Sequence, residues 1–458
     1  MTKSLFNDFN PVSAKAWKQK IQLDIKGADY NNTLIWKSLE GIDVKPFYNA
    51  EDLEHISHHI DVPKSWQIRE IIYVKNNIQA NQDAIYRLNK GAESLKFIIP
   101  NNEVSIQPLL KDIDTSSTPI FLELQFLDAK FVKNITDTQV NINTDIIGNL
   151  VKTGNWYVNS NNDHKQFEDI IKQTKTITIK AATYQNAGAN MMQQLAYTLA
   201  HTNEYLNHIN NCETLKNVFS KNNQTLKINI DVSVGSNYFF EIAKLRALRL
   251  LVNQLVNEYN FNANIQLIAS PSKRNKTLYD YNTNMLRTTT ECMSAILGGA
   301  NIVNNLAYDA IYHKDNEFGS RIARNQLLIL KHESYFNQVN NASEGSYYIE
   351  SLTNQLAEKA LILFKDIEEK GGFVSQLFDA TIQRKIKENA QKEQKLFDNN
   401  EEVLLGTNKH PNQKDTMQHE LELYPFVKTN IRKTLIEPII EKRLSETIEK
   451  ERLEDEKN

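Results

Sequence analysis

The sequence predicts an α/β fold organised as a (β/α)8 barrel of the TIM type, with a doubly wound open sheet as the alternative. Two observations support this class. Strand-like runs alternate with helical patterns from about residue 67 onwards. In addition, two of the runs are each followed by a glycine-containing turn and then a long helix. The 458 residues are enough for one barrel with extensions, or for two or three domains.

The clearest of these units begins with a strand at residues 176–183, whose alternation places Ile177 and Thr183 on one face. A turn at residues 185–188 follows, after which the apolar spacing becomes helical. The second unit has a strand at Leu226–Val234 and a turn at Gly235. Catalytic residues of such barrels follow the strands, so the side chains just after the first strand decide the functional interpretation.

The other elements are predicted from short β-rich runs and from apolar residues at helical spacing. The candidate strands are residues 67–74, 95–99, 120–126, 140–142, 176–183, 226–234, 264–269 and 300–304. Helices are predicted at residues 317–337, at 351–370 and from 373 towards 397, and another within the last forty residues, around 435–444. The terminal residues 449–458 read as a solvated, frayed end. The chain thus divides into an N-terminal arm (1–60), a barrel (61–410) and a C-terminal helical tail (411–458).

The composition limits the binding partners and the cellular compartment that are expected of this protein. The net charge is -3, with 53 basic and 56 acidic residues, so no excess of positive charge indicates nucleic acid as a partner. The two cysteines, Cys212 and Cys292, are too few for a disulfide framework and favour a reducing compartment. The N-terminus lacks the apolar run of a signal peptide, and no stretch predicts a membrane span. We therefore expect a soluble, cytoplasmic protein.

The N-terminal arm is rich in aromatic residues. Ser13 can cap a short amphipathic helix that carries Trp17, and the residues Trp36, Phe47 and Tyr48 follow it. The segment is too short and broken to form its own core. Its aromatic side chains therefore need a surface in this chain or in another. Packing against its own chain is the simpler expectation.

Short cofactor and catalytic motifs are missing from the sequence. It contains no G-x-G pair, no G-x-x-x-x-G-K-[ST] loop and no H-E-x-x-H motif. His55, His58 and His59 have the spacing of metal ligands on one helical face, but no matching cysteine or carboxylate is nearby, so a solvated helix is the stronger expectation. Cys292 is expected to be a packed core thiol. Arg321 and Arg324 could hold a phosphate, but pairing with Glu317 or with a neighbouring helix is commoner.

Several segments together identify a family resemblance. They are residues 40–48, 185–190 with 195–200, 240–247, 298–300, 320–325 and 344–353. Each is a weak signal alone, but they occur in family order from about residue 15 to about residue 410. In this respect the chain resembles the methylmalonyl-CoA mutase family, and in particular the small subunits of its heterodimeric members.

The resemblance implies a (β/α)8 barrel that threads a CoA ester along its axis. In the family, a separate C-terminal domain with a D-x-H-x-x-G loop carries adenosylcobalamin. The family's reaction is the radical rearrangement of methylmalonyl-CoA to succinyl-CoA. Such chemistry requires a site that excludes water, holds the thioester carbonyl by a hydrogen bond and retains the radical.

The chain departs from the family's catalytic pattern. Catalytic subunits carry an R-Q-Y-A-G-F run near the first strand, and its tyrosine falls on Ile71 here. They carry a G-Y-H-M-Q-E-A-G run after the fifth strand, and its histidine falls on Thr183, which can donate one hydrogen bond but cannot be cationic. In the family a glycine-rich segment follows the second strand, and here the short run of residues 98–103 replaces it. The family's seventh strand carries a histidine, which is missing from residues 268–272 of this chain. No catalytic, cofactor-binding or metal-binding residue is therefore predicted.

Cobalamin is not expected on this chain. None of the ten histidines is preceded two positions earlier by aspartate, so the D-x-H-x-x-G loop is missing, and the residues after about 405 read as a tail too short for a cobalamin domain. Adenosylcobalamin is expected instead on a homologous large catalytic subunit, which would form a heterodimer with this chain and act on the acyl-CoA substrate. No nucleic acid or membrane partner is expected. With such a partner, the preference reverses and the arm is expected to wrap around the large subunit, so the candidate subunit interface consists of Trp17, Trp36, Lys45, Pro46, Phe47 and Tyr48.

Two other functions stay open at the level of sequence. One is a self-sufficient acyl-CoA-binding barrel enzyme in which Thr183, Lys180 or Asp231 has acquired a new role. The other is a general scaffold with no link to a mutase.

Overall fold

The computed structural model describes residues 8–10, 12–54, 59–135, 138–220, 224–428 and 431–457. Its centre is a sheet of eight parallel strands. They are β1 (Gln67–Tyr73), β2 (Ser94–Ile99), β3 (Ile120–Leu124), β4 (Asn141–Asn143), β5 (Thr176–Lys180), β6 (Leu226–Val234), β7 (Ala263–Pro271) and β8 (Ile302–Val303). Each of the eight strands predicted from the sequence is present, with ends that differ by a few residues.

The strands curve into a nearly closed barrel. Their hydrogen-bonded order is β4-β3-β2-β1-β8-β7-β6-β5, and every neighbouring pair is parallel. The short strand β8 joins β1 to β7, because Ile302 pairs with both Gln67 and Ile268. The two end strands, β4 and β5, contact each other. The predicted (β/α)8 barrel is thus confirmed, and the open doubly wound sheet is excluded.

Helices surround the barrel, and other helices precede its first strand and follow its last strand along the chain. The helices are α1 (Ala14–Asp24), α2 (Tyr30–Leu34), α3 (Asn77–Asn89), α4 (Ile106–Leu109), α5 (Ala129–Lys133), α6 (Ile146–Thr153), α7 (Ser160–Thr174), α8 (Ala182–Asn186), α9 (Met191–Asn211), α10 (Glu213–Phe219), α11 (Tyr238–Glu258), α12 (Thr283–Leu297), α13 (Glu317–His332), α14 (Tyr347–Glu369), α15 (Gly372–Phe378), α16 (Thr381–Asp398) and α17 (Glu446–Asp455). Within the described residues, none of them combines the length and the apolar character that crossing a bilayer requires.

The predicted continuation of β5 to Thr183 is wrong. The strand ends at Lys180, which pairs with Asp231 of β6, and Thr183 lies in the short helix α8. The helical turn forms because Tyr184 is buried, with its hydroxyl 2.9 Å from Nδ1 of His201 on α9. After α8 the chain turns at Gly188, whose φ of +98° places it in the left-handed region that glycine favours. The predicted turn is therefore present, but a helix precedes it.

The helix predicted in the last forty residues is present only as α17, and the apolar residues 435–444 on which the prediction rested are not helical. No helix occurs between Asp398 and Glu446 in the described part of the chain. Pro438 is unsuited to a helix interior, and the backbone N–H groups of Leu435 and Ile436 donate to the carbonyl of Gly154 at 2.9 and 3.1 Å. The backbone of this segment is therefore satisfied by the end of α6 rather than by a helix of its own.

The chain's last residues are helical and partly buried rather than solvated. They form α17, in which Glu449 and Leu453 are buried. Nearer the middle of the chain, the helix predicted from residue 373 towards 397 is divided into α15 and α16 by Ala380, whose φ is +54°. The burial of α17 and the break between α15 and α16 depend on tertiary contacts, which the periodicity of the sequence does not reveal.

Candidate functional site

The barrel axis contains charged side chains where parallel strands face one another. Residues two apart on a strand share a face, so the polar faces of the strands point towards the axis. Five charged residues meet there, namely Arg69 of β1, Lys96 of β2, Glu123 of β3, Lys180 of β5 and Asp231 of β6. We call this group the axial charge cluster.

The cluster is connected by ion pairs across the barrel. Lys180 Nζ lies 3.0 Å from Glu123 Oε1, and Lys96 also pairs with this carboxylate. Lys96 Nζ lies 3.4 Å from Asp231 Oδ2, and Arg69 Nη2 lies 3.7 Å from Asp231 Oδ1. Each of the two carboxylates is therefore shared between two cations.

Large side chains, including Arg69 of the cluster itself, occupy the rest of the axis. Arg69 is almost completely buried, and its Nε donates to Asn304 Oδ1 at 2.6 Å. Its guanidinium lies 4.9 Å from the centre of the Phe121 ring. Phe121 in turn packs with Ile268 and Ile302 in a separate buried group. The axis is thus filled by side chains of this chain, as in a packed barrel core.

Electrostatics keep Glu123 and Lys180 of the axial charge cluster ionised. Burial alone would raise the pKa of Glu123, but Lys96 and Lys180 hold it well below its ordinary value. Burial would likewise lower the pKa of Lys180, yet the pairing with Glu123 raises it. A carboxylate and an amine shifted in these directions do not exchange protons near neutral pH. The pair is suited to a structural role rather than to acid–base catalysis.

A second polar network closes the region next to β4. Asp145 is fully buried and accepts hydrogen bonds from the Lys180 and Gly148 backbone N–H groups at 2.8 and 2.6 Å, and from the Tyr205 hydroxyl at 2.6 Å. Its Oδ1 also lies 3.0 Å from Nε2 of His201. Burial opposes the ionisation of Asp145, but His201 and Tyr205 lower its pKa. Three of these contacts share Oδ1, and the carboxylate is completely shielded from solvent, so it holds β5 and α9 together rather than facing an open site.

The sequence did not predict this network, although His201 lies in the helix of the strand–turn–helix unit that begins at residue 176. The only available signal was a histidine on the buried face of α9, which by itself is no evidence for a partner.

Ile71 and Thr183, which the resemblance matches to catalytic residues of the family, lie on different elements of the structure. Ile71 lies on β1, two residues after Arg69 and therefore on the axial face, in register with Lys96. Thr183 lies off the sheet on α8, where it is buried and its carbonyl accepts the Ala187 N–H at 3.0 Å. Both residues are placed at the C-terminal end of the barrel, where TIM-barrel active sites form. Ile71 offers no polar group, and Thr183 offers only a hydroxyl.

The residues considered for other roles have structural partners. Arg324 is buried and pairs with Glu70 of β1 at 2.9 Å, so its partner is a strand residue rather than Glu317 or a helix. Arg321 lies 5.5 Å from the centre of the Phe318 ring. Cys292 is buried, which raises its thiol pKa and agrees with a core position.

The histidine group considered as a metal site is only partly described. His59 Nδ1 lies 2.8 Å from Glu344 Oε1, whereas His55 and His58 lie outside the described residues. Among the residues that the structure does describe, no three His, Cys, Asp or Glu side chains are grouped so as to hold a metal ion.

Comparison with known proteins shows the family. The sequence model of the family described as methylmalonyl-CoA mutase matches residues 99–454. The chain belongs to the methylmalonyl-CoA mutase family.

Its similarity to individual members of the methylmalonyl-CoA mutase family extends over most of its length. It is 32% identical over 446 residues to the methylmalonyl-CoA mutase small subunit of Porphyromonas gingivalis, covering 90% of this chain and 71% of the relative. It is 27% identical over 447 residues to a methylmalonyl-CoA mutase of Rhizobium meliloti, covering 82% and 61%. It is 24% identical over 468 residues to a probable large subunit from Mycobacterium bovis, covering 87% and 61%. The chain thus spans less than two thirds of the last two relatives.

In this member of the methylmalonyl-CoA mutase family, the N-terminal arm contacts its own barrel through a few aromatic rings. Ser13 caps α1 as predicted, accepting the Ala16 N–H at 3.2 Å, yet no residue of α1 is buried. Trp36 meets Phe240 of α11 edge-on at 5.6 Å, and Tyr48 lies 5.0 Å from Tyr348 of α14. The arm therefore packs on its own chain, as its aromatic residues alone predicted.

The same arm leaves much aromatic surface exposed. Trp17 stacks on Phe47 at 4.7 Å and is 50% exposed, and Trp36 is 52% exposed. Lys45 donates its backbone N–H to the Tyr48 hydroxyl at 3.1 Å and forms an ion pair with Asp52, while Pro46 is exposed. Half-exposed indole rings that are fixed by stacking are typical of anchor residues in protein interfaces.

Proposed function

We propose that this chain is the small, non-catalytic subunit of an adenosylcobalamin-dependent methylmalonyl-CoA mutase. In this proposal it stabilises a homologous large subunit, which carries the cofactor and the active site and interconverts methylmalonyl-CoA and succinyl-CoA. The observation that carries the proposal is the axial charge cluster, which occupies the line along which the family threads its CoA ester. The names of the relatives, which include a small and a large subunit, support the same assignment.

The energetics of the axis argue against a bound CoA ester. A pantetheine chain on the axis would have to displace the Lys180–Glu123 and Lys96–Asp231 pairs, which are largely shielded from water. Separating one member of a buried pair from its partner costs roughly 3–5 kcal/mol. The amide groups of a pantetheine cannot neutralise these charges. The axis of this chain is therefore better suited to holding its strands together than to binding substrate.

The residues of the chain also do not fit cobalamin. The sequence has no D-x-H-x-x-G loop to supply a cobalt ligand. At the C-terminal end of the barrel, Lys442 and Leu444 form backbone hydrogen bonds with Asn186 and Arg274 at 3.1 and 2.8 Å. This segment therefore covers the ends of β5 and β7 with the chain's own backbone. We assign the cofactor to the partner subunit.

The proposed contact with the large subunit is the arm. Permanent heterodimers bury large, partly apolar surfaces whose binding energy is concentrated in a few aromatic and arginine residues. Trp17 and Trp36 are residues of this type, and Lys45, Pro46, Phe47 and Tyr48 extend the surface next to them. The aromatic rings that hold the arm on α11 and α14 would present it in a fixed orientation.

The isolated chain is expected to be inactive. Incubated with adenosylcobalamin and methylmalonyl-CoA, it should form no succinyl-CoA, because neither Ile71 nor Thr183 can replace the groups of a catalytic subunit. Addition of the cobalamin-carrying homologue from the same cell should give turnover, and succinyl-CoA can be measured by chromatography. Turnover by the isolated chain would refute the proposal. Tight binding of an acyl-CoA to the chain alone, at micromolar concentration, would favour the alternative of a self-sufficient barrel enzyme.

Trp36→Ala is expected to weaken the heterodimer by about tenfold or more, since central aromatic anchors contribute on the order of 2 kcal/mol. In the isolated chain the same change should cost only about 0.5–1.5 kcal/mol, the contribution of its edge-on contact with Phe240. Calorimetric titration and thermal melting measure the two effects. Leu286→Ala, which removes an exposed apolar side chain from α12, is the matched control. If Trp36→Ala destabilised the isolated chain as strongly as the complex, the arm would be an intramolecular element.

A further inference from the structure

A small cavity lies at the C-terminal end of the barrel, outside the axial charge cluster and outside the arm. Its volume is about 200 Å³. It is bounded by residues that follow β5, β7 and β8, and it is covered by two stretches of the C-terminal segment, residues 424–427 and 441–446. The proposed function makes no use of this cavity. Its position at the C-terminal face of the strands is where the fold places ligand sites.

Part of the cavity lining is apolar. The wall consists of Leu306, Ala310, Ile311, Pro425, Phe426 and Val427. Phe426 is buried, so its ring is already withdrawn from water and the wall is formed before a ligand binds. A cavity with an apolar wall and a few convergent polar groups is the usual form of a small-molecule site. The volume is below that of pockets for drug-sized ligands, so the ligand must be small.

The rest of the cavity lining is rich in hydrogen-bond donors. Lys273 and Lys442 line it, and in the described part of the chain neither amine has an ion-pair or hydrogen-bond partner. Arg443 is buried, and its Nε has no partner among the described residues. Asn186 has its Oδ1 occupied by the Lys273 N–H, which leaves its Nδ2 with only a long contact of 3.4 Å to Glu441.

Acceptors in the cavity are fewer. The two oxygens of Glu446 accept the backbone N–H groups of Arg443 and Val427 at 3.1 and 3.2 Å. Arg274, which also lines the cavity, is neutralised by Glu393 and donates to the Lys442 carbonyl at 2.7 Å. Glu441 is then the lining carboxylate that still has accepting capacity. Because unused donors outnumber unused acceptors, the complementary ligand is an acceptor.

We propose that this cavity binds a small organic carboxylate. Its short aliphatic part lies against Leu306, Ile311 and Phe426, and its carboxylate accepts hydrogen bonds from Lys273 and Lys442. Charge-assisted bonds of this kind are roughly twice as strong as neutral ones, which favours an anion over a neutral amide of the same shape. This inference does not rest on the proposed function, since the site is complete within this chain.

Calorimetric titration of the intact chain with butanoate tests the proposal. We expect saturable binding, and we expect butanamide and butylammonium to bind at least about tenfold more weakly, which corresponds to about 1.4 kcal/mol. The double variant Lys273→Gln/Lys442→Gln should weaken butanoate binding by a similar factor. Its melting temperature should stay unchanged, because both lysine side chains are exposed.

The matched control is Lys216→Gln/Lys392→Gln, which removes two exposed charges from α10 and α16. It should leave butanoate binding unaltered. A second variant, Leu306→Trp, should abolish binding by filling the cavity. Absence of saturable binding, equal binding of butanamide, or equal loss in the control variant would overturn the proposal. Because the measurement uses the isolated chain, none of these outcomes bears on whether a heterodimer forms.

Discussion

Arg443→Ala is expected to lower the free energy of unfolding by roughly 3–5 kcal/mol, because it leaves a buried carboxylate without its partner. Arg443 is 5% exposed, and Glu449, with which it pairs at 2.5 Å, is completely buried. The same guanidinium donates to the carbonyls of Lys276 and Pro425 at 3.0 and 3.2 Å. It therefore connects the C-terminal segment to the loop after β7 and to α17.

The consequences of this substitution extend beyond one ion pair. Glu449 also accepts the Leu278 N–H at 2.7 Å, so the charge cannot move to water without breaking a second contact. Loss of Arg443 should loosen the packing of Phe426 and Leu453, which belong to the apolar group around Tyr279 and Tyr312. In the parent chain, residues 424–428 and 431–457 are thus expected to unfold together with the barrel rather than before it.

Urea unfolding followed by circular dichroism measures the effect. Arg384→Ala is the matched control, because its guanidinium is exposed and pairs with Glu388 one turn away, and exposed pairs of this kind contribute little to stability. The double variant Arg443→Met/Glu449→Gln should recover part of the loss by removing the unpaired charge. A change below about 1 kcal/mol in Arg443→Ala would show that the C-terminal segment does not stabilise the barrel.

Glu123→Gln is expected to have the second large effect, a loss of roughly 3–5 kcal/mol at pH 7. The carboxylate holds Lys96 and Lys180, and its removal leaves two amines in the barrel with Asp231 as the remaining nearby acceptor. The substitution preserves the size of the side chain. The loss therefore measures charge pairing rather than a cavity.

The effect should depend on pH with a defined sign. The pKa of Glu123 is lower in the folded chain than its ordinary value. A depressed carboxylate stabilises the fold above the pKa of the unfolded state, about 4.3, and this contribution is lost as the pH falls towards the folded-state pKa. The difference between Glu123→Gln and the parent chain should therefore be full above about pH 5 and should narrow in acid.

Chemical denaturation at a series of pH values tests this directly. Glu358→Gln on α14, whose carboxylate is exposed and accepts only from the neighbouring Asn354 side chain, is the control and should change stability by less than about 0.5 kcal/mol at every pH. A pH-independent loss in Glu123→Gln would mean that the carboxylate is not ion-paired in the folded chain.

The number and order of the strands were predictable because each strand leaves a local pattern. Leu226–Val234 alternates over nine residues and was located without error, since each of its residues pairs with β7. The end of β5 was not predictable in the same way. Alternation continues to Thr183 in the sequence, and the change to α8 depends on the burial of Tyr184 beside His201, which is 17 residues away along the chain.

The candidate site was predictable only in part. Alternation identified the polar faces of β5 and β6, with Lys180 on one and Asp231 on the other. It did not identify which charges would meet, because Lys180 pairs with Glu123 of β3 and Asp231 pairs with Lys96 of β2. The cavity beside Arg443 was missed entirely, because the segment that covers it was interpreted as a helical tail.

By itself, the sequence predicted the barrel and the family, and the resemblance matched Ile71 and Thr183 to positions that carry catalytic side chains elsewhere in the family. These features depend on periodicity and on residue identity at matched positions, both of which are local. Only the tertiary structure decided that the axis is filled by paired charges, that the arm exposes its indole rings, and that residues 424–428 and 431–457 complete the C-terminal end of the barrel. Closure of the barrel and the return of the C-terminal segment bring together side chains that are far apart in the chain. Whether a charge is paired, buried or free therefore depends on contacts that no local pattern contains.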